Sequence, residues 1–326
     1  MATSTITKYV NSSGTTHLFL ERRDSTSTIG RTYYGRNLDL AAAQTDATWQ
    51  IYAQDSNPFY QQWANNTDAF DKQWSARSSY FGAPAFANGF SLQLSGNANQ
   101  YGSVPFNASL DFAAAAAFSG FMWVKFTNMG AMTILQKTSG ATGNNGYTWE
   151  VDGSQRLLFT HRGTSAGDSI QLRTPALTIA NGAWHLIGWT KTASALASST
   201  KIYYDGTSQA LTTVQDALVG TTTTAAALVI GANVSGGTLY KGNIDEVAIW
   251  NQSLTAAEVT EIYHANAGVI DLEAGSGQIA SALVSWWRMG DGEFTAYPTI
   301  PDDKATNDMT LQAGVTAGDV ESETPP

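Results

Sequence analysis

The sequence predicts an all-β protein: a two-sheet sandwich or barrel with one short helix, preceded by a smaller β-rich module. Three observations point there. Charged residues make up only 13% of the chain, while Thr, Ser, Gly, Asn and aromatic residues are abundant, a composition of strands and turns rather than helices. From Phe90 onward, short runs of β-branched and aromatic residues alternate with turns of Gly, Asn, Asp and Ser. The 326 residues exceed one small domain and suit a sandwich of about 200 residues with an additional module.

Residues 1–88 contain short extended runs such as THLFLER and ATWQIYAQD, then a stretch in which Trp63, Phe70 and Trp74 are separated by polar residues. That spacing fits neither a strand period nor a helical one. It predicts a partly irregular module that needs a partner surface. YFGAPAFANG, residues 80–89, has the Pro and Gly punctuation of a linker. The expected organisation is an anchoring or oligomerisation module over 1–88, a sandwich over 89–292 and a C-terminal extension over 293–326. The regular runs are FSLQLSG, QYGSVPF, GFMWVKF, MTILQKT, YTWEVD, RLLFTHR, AWHLIGWTK, KIYYDG, ALVIGAN, NIDEVAIWN and ALVSWWRMG. The Asp-Gly pairs in VDG (151–153) and YDG (204–206) mark hairpin turns. The helix begins at the capping box TAAE, Thr255–Glu258. Val259, Ile262 and Tyr263 then share one face, and Gly268 is the expected stop.

Composition also excludes functions. A formal net charge of −10 without a Lys/Arg cluster disfavours nucleic-acid binding. No run approaches the ~18 apolar residues of a membrane span. Without cysteine there are no disulfides or thiolate metal sites. MATSTITKYVNSSG has no basic segment followed by an apolar one, so folding in the cytoplasm where the chain is made is expected. His17, His161, His185 and His264 have no metal-ligand spacing. Neither a phosphate-binding Gly loop nor a nucleophile elbow occurs.

FSGFMWVKF (118–126), TILQKTSG (133–140), YTWEVDGSQRLLF (147–159), ANGAWHLIGWTK (180–191), KIYYDG (201–206), LVIGAN (228–233) and YKGNIDEVAIWNQSLTAAEVTEIYHAN (240–266), in this order, resemble the laminin-G-like, concanavalin A-like lectin/glucanase family. The resemblance spans most of residues 90–290 and implies an antiparallel jelly-roll sandwich. LVSWWRMGDG (283–292), the acidic Pro-ended tail and residues 47–77 resemble exterior proteins of tailed-bacteriophage particles. That resemblance implies a noncatalytic virion protein, folded in the host cytoplasm. It would be a head decoration or fibre, neck or tail component displaying a lectin-like domain to host-surface glycans. Residues 1–88 and the C-terminal tail would contact other virion proteins, and the chain would form a homo-oligomer, a trimer among the candidates. The alternative is a carbohydrate-binding module or a glucanase-like enzyme.

One motif raises a chemical question: Asp245 and Glu246 lie inside the apolar strand NIDEVAIW. Strand parity puts Asp245 inward with Val247 and Ile249, and Ile244, Glu246, Ala248 and Trp250 on the other face. An inward carboxylate needs hydrogen bonds or a cation. The family resemblance pairs such an Asp with the first loop, here SGNANQY, where Asn97 and Asn99 stand in for carboxylates and give only a weak calcium site. No other cofactor is expected. Glycosidases need two carboxyls about 5–9 Å apart. EVDGSQ (150–155) starts like the family's catalytic strand but lacks its last Glu, and Asp245 and Glu246 diverge by parity. Trp250 and Tyr240, with Glu246 beside them, are the expected glycan contacts through ring stacking.

Overall fold

The computed structural model describes residues 3–10, 16–23, 29–36 and 88–326, less 98–99, 141–144, 166, 234–237, 265–267, 292–296 and 313. The chain divides into two units, Met1–Ala85 and Phe86–Pro326. In the first, β1 (Thr3–Val10), β2 (Thr16–Arg23) and β3 (Ile29–Arg36) form an antiparallel sheet with β2 central. Trp63, Phe70 and Trp74 lie outside the described residues.

In the second unit each regular run becomes a strand. In chain order these strands, with those the sequence did not reveal, are β4 (Ser91–Ser95), β5 (Gly102–Val104), β6 (Phe118–Lys125), β7 (Met132–Thr138), β8 (Gly146–Val151), β9 (Leu157–Arg162), β10 (Ser169–Arg173), β11 (Trp184–Lys191), β12 (Thr200–Tyr204), β13 (Thr207–Ser208), β14 (Thr212–Asp216), β15 (Leu228–Ile230), β16 (Lys241–Trp250), β17 (Leu283–Trp287), β18 (Thr299–Ile300), β19 (Met309–Leu311) and β20 (Val320–Glu321). One antiparallel sheet has the order β14-β10-β9-β8-β7-β15-β5-β19-β18, the other β13-β12-β11-β6-β16-β4-β20, with β17 also on β16. This is the expected jelly-roll sandwich. Residues after 293 are not a separate extension. β18 and β19 prolong the first sheet beyond β5, and β20 pairs with β4, Val320 opposite Leu92.

Period-2 alternation places one face of each sheet in a common core. Phe118, Met122 and Val124 from β6 meet Tyr147 and Trp149 from β8, Phe159 from β9 and Trp189 from β11. Gly120 makes room for Trp189: a Cβ there would stand 2.2 Å from the indole ring. The YDG signal becomes a two-residue turn, Tyr204 opposite Thr207, with Asp205 and Gly206 at φ 47° and 72°, the left-handed pair a tight hairpin requires. Asp205 also accepts from Leu186 N–H and bonds the His185 Nδ1 at 2.7 Å. His185 is thereby accounted for as a packing residue.

A second apolar layer covers the outer face of the eight-stranded sheet. Phe121, Trp123, Leu186, Ala248, Trp250 and Trp286 pack beneath α1 (Ala256–Tyr263) and α2 (Gln278–Ser281). The capping box is present: Thr255 Oγ1 accepts from Glu258 N–H, and Glu258 accepts from Thr255 N–H. Glu258 also accepts from Gln278 N–H at 2.6 Å, fastening α2 to α1. The helix stops before Gly268, because His264 takes the left-handed cap position at φ 46°. Thr255→Ala is expected to lower stability by about 1 kcal/mol, read as a shift in urea midpoint at constant m-value. An unchanged midpoint would mean that the tertiary contacts of α1 alone hold it.

Candidate functional site

Strand β16 organises the outer face of its sheet. Along one edge it pairs with β6; along the other it pairs with β4 over Lys241–Ile244 and with β17 over Val247–Trp250. The change of partner falls on Asp245–Glu246. A β-bulge sits there: the four residues of β16 from Asp245 to Ala248 stand against the three from Trp123 to Phe121 on β6, and Glu246 has φ 50°. A bulge inserts one residue and resets parity. Ile244 therefore joins Val247 and Ile249 in the core, while Asp245, opposite Trp123, turns to the outer side with Ala248 and Trp250. The expected inward Asp245 is thus corrected, and so is the divergence of the two carboxylates.

Both carboxylates act as a clasp between the chain entering β4 and the chain leaving β17. Asp245 Oδ2 accepts from Asn88 Nδ2 at 3.0 Å, and its Oδ1 accepts from Glu246 N–H at 2.8 Å. Glu246 accepts from Trp286 Nε1 and from Arg288 Nε, the latter at 3.3 Å. Asp291 accepts from the N–H groups of Gly89 and Phe90. Burial pushes the Asp245 carboxyl well above its usual range, and the adjacent Glu246 charge adds to the rise. Burial also raises Glu246 to about 7, against the opposing pull of Arg288 and Trp286. The pair is a structural device: both side chains are sealed from solvent and spent on internal partners.

Asp245 and Asn97, expected to share a weak calcium site, are not brought together. Asp245 lies level with the start of β4, whereas Asn97 follows its far end, some 20 Å along an extended chain, and donates to Ser95 Oγ at 2.6 Å. Asn99 is outside the described residues. The expected glycan contacts are also corrected. Trp250 does face outward, but α1 and α2 cover it completely, and its Nε1 donates to Ile279 C=O at 2.7 Å. Tyr240 is wholly buried, its hydroxyl donating to Asn243 C=O. Glu246 is beneath the same cover.

Part of this face lies outside the cover of α1 and α2. Around the first half of β16 lies an open cleft of about 300 Å³, lined by Gln93, Ser95, Lys125, Thr127, Lys241 and Asn243 over a floor that includes Phe126. The register sets these side chains in two rows. Gln93, Asn243 and Lys125 stand side by side on three neighbouring strands, with Ser95 and Lys241 in the next row. Gly242 lies between the rows, where a Cβ would strike the Lys125 carbonyl at 2.2 Å. The lining offers amide, hydroxyl and ammonium groups and contains no carboxylate. Sequence reasoning missed it. The signal was the polar residues at alternate positions of FSLQLSG and YKGNID, interpretable once those strands were paired.

On the other sheet Glu150 faces outward, half-buried. Its carboxyl is raised by burial and takes a bond from Thr133 Oγ1 at 3.2 Å. Asp152, two residues on, bends into its own hairpin. It accepts from Ser154 N–H and Arg156 Nε, and these bonds outweigh burial and hold its carboxyl below the usual value.

A family profile described as the concanavalin A-like lectin/glucanases superfamily matches residues 95–260, half of the chain. The chain belongs to that superfamily. All of the cleft except Gln93 and Leu94 falls within the matched superfamily region. Among solved structures, the chain is similar to a proposed carbohydrate-binding protein from Bacteroides ovatus, with 13% identity over 95% of this chain and 69% of that one, TM-score 0.50. It is similar also to a heptameric SAP-like pentraxin from Limulus polyphemus, with 13% identity over 54% of this chain and 82% of that one, TM-score 0.39. The binding domain of botulinum neurotoxin serotype D shares 13% identity over 55% of this chain, which spans only 44% of that domain, TM-score 0.41. At 13% identity the likeness to the Bacteroides ovatus protein is one of fold. No curated protein sequence matches.

Proposed function

We propose that this superfamily member is a noncatalytic, glycan-binding protein displayed on the exterior of a bacteriophage particle. The observation that carries the binding role is the open cleft beside β16, whose lining offers hydroxyl-binding groups and whose neighbouring carboxylate, Glu323, is paired with Lys125. Hydrolysis of a glycosidic bond needs two carboxyls across one cleft, one protonated and one ionised. Asp245 and Glu246 are sealed beneath the outer layer, and Asp152 is committed to Arg156. The placement on a particle is supported by the likeness of residues 47–77 and 283–292 to phage exterior proteins and by a lectin-type chain without cysteine. Residues 1–88 would attach the sandwich to its particle and to further copies of the chain.

Mass spectrometry of purified virions, with localisation by electron microscopy, tests the placement. A chain absent from particles refutes it. A glycan array tests the binding role. The glucanase-like alternative rests on Glu150 and Asp152, whose environments push their carboxyls in opposite directions, the usual pattern of an acid and its partner. Reducing-sugar assays over a polysaccharide panel are expected to show no turnover. Turnover that disappears in Glu150→Gln establishes the enzyme instead.

A further inference from the structure

The C-terminal tail reaches one of the ammonium groups that line the cleft. After β20 the chain leaves the sheet edge and turns over the outer face. Glu323 pairs with Lys125 Nζ, two strands inward of β4. Pro325 is buried, and the Pro326 carbonyl lies 3.9 Å from where a Gly268 Cβ would stand. A carboxylate of this chain is therefore held against one cleft ammonium by anchors on both sides of it. Lys241, the diagonal neighbour of Lys125 across the β6–β16 ladder and so about 7–8 Å from it along the backbone, is exposed and has no carboxylate partner among the described residues.

We infer that the cleft binds carboxylated saccharides, and that Glu323 is an internal competitor which such a ligand displaces from Lys125. The inference rests on the glycan-binding reading and narrows it to one ligand class. Two lysines line this cleft although acidic residues outnumber basic ones 27 to 17 over the chain. The amides of Gln93 and Asn243 and the hydroxyls of Ser95 and Thr127 lie beside them, suited to the hydroxyls of a sugar ring. Neutral sugars gain much of their affinity by stacking on aromatic faces, and the cleft provides none: Phe126 is only 3% exposed. Its volume of about 300 Å³ is at the small end of ligand sites. Charge is left as the source of selectivity. The Lys125–Glu323 pair is partly solvated, with side chains 26% and 42% exposed, and pairs of that kind contribute little, so an incoming carboxylate replaces Glu323 at small cost.

The test is calorimetric titration of the full chain, at low salt, with an oligogalacturonate, the neutral galactose oligomer of equal length and an oligoglutamate peptide. The acidic sugar is expected to bind at least about tenfold more tightly than the neutral one, a difference of about 1.4 kcal/mol. Lys241→Gln is expected to erase that preference, and Glu323→Gln to tighten acidic-sugar binding several-fold. Lys241 is exposed, so its substitution should leave the melting temperature unchanged. Equal binding of the two sugars, unaffected by Lys241→Gln, overturns the inference while leaving the glycan-binding role standing. Binding of the peptide alone overturns both. Failure of every probe to bind the wild type and Glu323→Gln also overturns it.

Discussion

Arg288→Ala is expected to destabilise the protein by about 3–5 kcal/mol at pH 8, the cost of stranding buried carboxylates without their cation. Arg288 Nε meets Glu246 at 3.3 Å, its Nη1 approaches Asp303 at 3.7 Å, and its guanidinium lies 5.0 Å from the centre of the Trp286 ring. Asp291 adds negative charge to the same cluster. The loss should depend on pH in a definite direction. Folded Glu246 titrates near 7, above the ordinary range of an unfolded Glu. Between those values the folded state holds the extra proton, so this group's contribution is fully present at low pH and is lost as pH rises through 7. Removing Arg288 raises the folded carboxyls further. The deficit of the variant should therefore shrink by half or more between pH 8 and pH 5, in denaturant unfolding at both. A deficit equal at the two pH values would mean that lost packing, not charge, explains the defect.

Trp250→Ala should cost a similar amount, about 3–5 kcal/mol for truncation of a fully buried indole. Trp250 meets Phe121 edge-on at 6.1 Å, and its Nε1 provides the bond to Ile279 C=O in α2. The damage should be uneven. The second apolar layer is the smaller of the two clusters, so amide exchange should accelerate most over Ala256–Tyr263 and Gln278–Ser281. Trp250→Phe keeps the ring contact but strands the Ile279 carbonyl, and should cost about 1–3 kcal/mol. Loss of glycan binding with unchanged stability would return Trp250 to the role of a ligand contact.

These residues show how much of the molecule was legible before folding. The sandwich was, because its short runs of β-branched and aromatic residues end in strong turn signals. β10 and β14 were not, since SIQLR and TTVQD are short and partly polar, as strands near a sheet edge are. β18 to β20 have two or three residues each and acquire their structure from the strands they join. The bulge at Glu246 was hidden because parity counting assumes an unbroken period of two. For Trp250 the facing was right but the covering was overlooked. Phe121 and Trp123 share that face with it, and a sheet apolar on both sides needs a second layer. The cleft was invisible because its rows come from three strands distant in sequence.

The placement of β4 and β5 has a consequence for the timing of folding. Both are made early in this domain, yet each is flanked by late strands: β4 by β16 and β20, β5 by β15 and β19. Their ladder partners begin no earlier than residue 228 and extend to 321. Loops of that length must close before any of these pairings forms, which places the domain among slow folders of high contact order. During synthesis the first two strands wait with both edges open, at risk of pairing with strands from neighbouring nascent chains. A ribosome that stalls before residue 299 would release a chain with incomplete edges in both sheets.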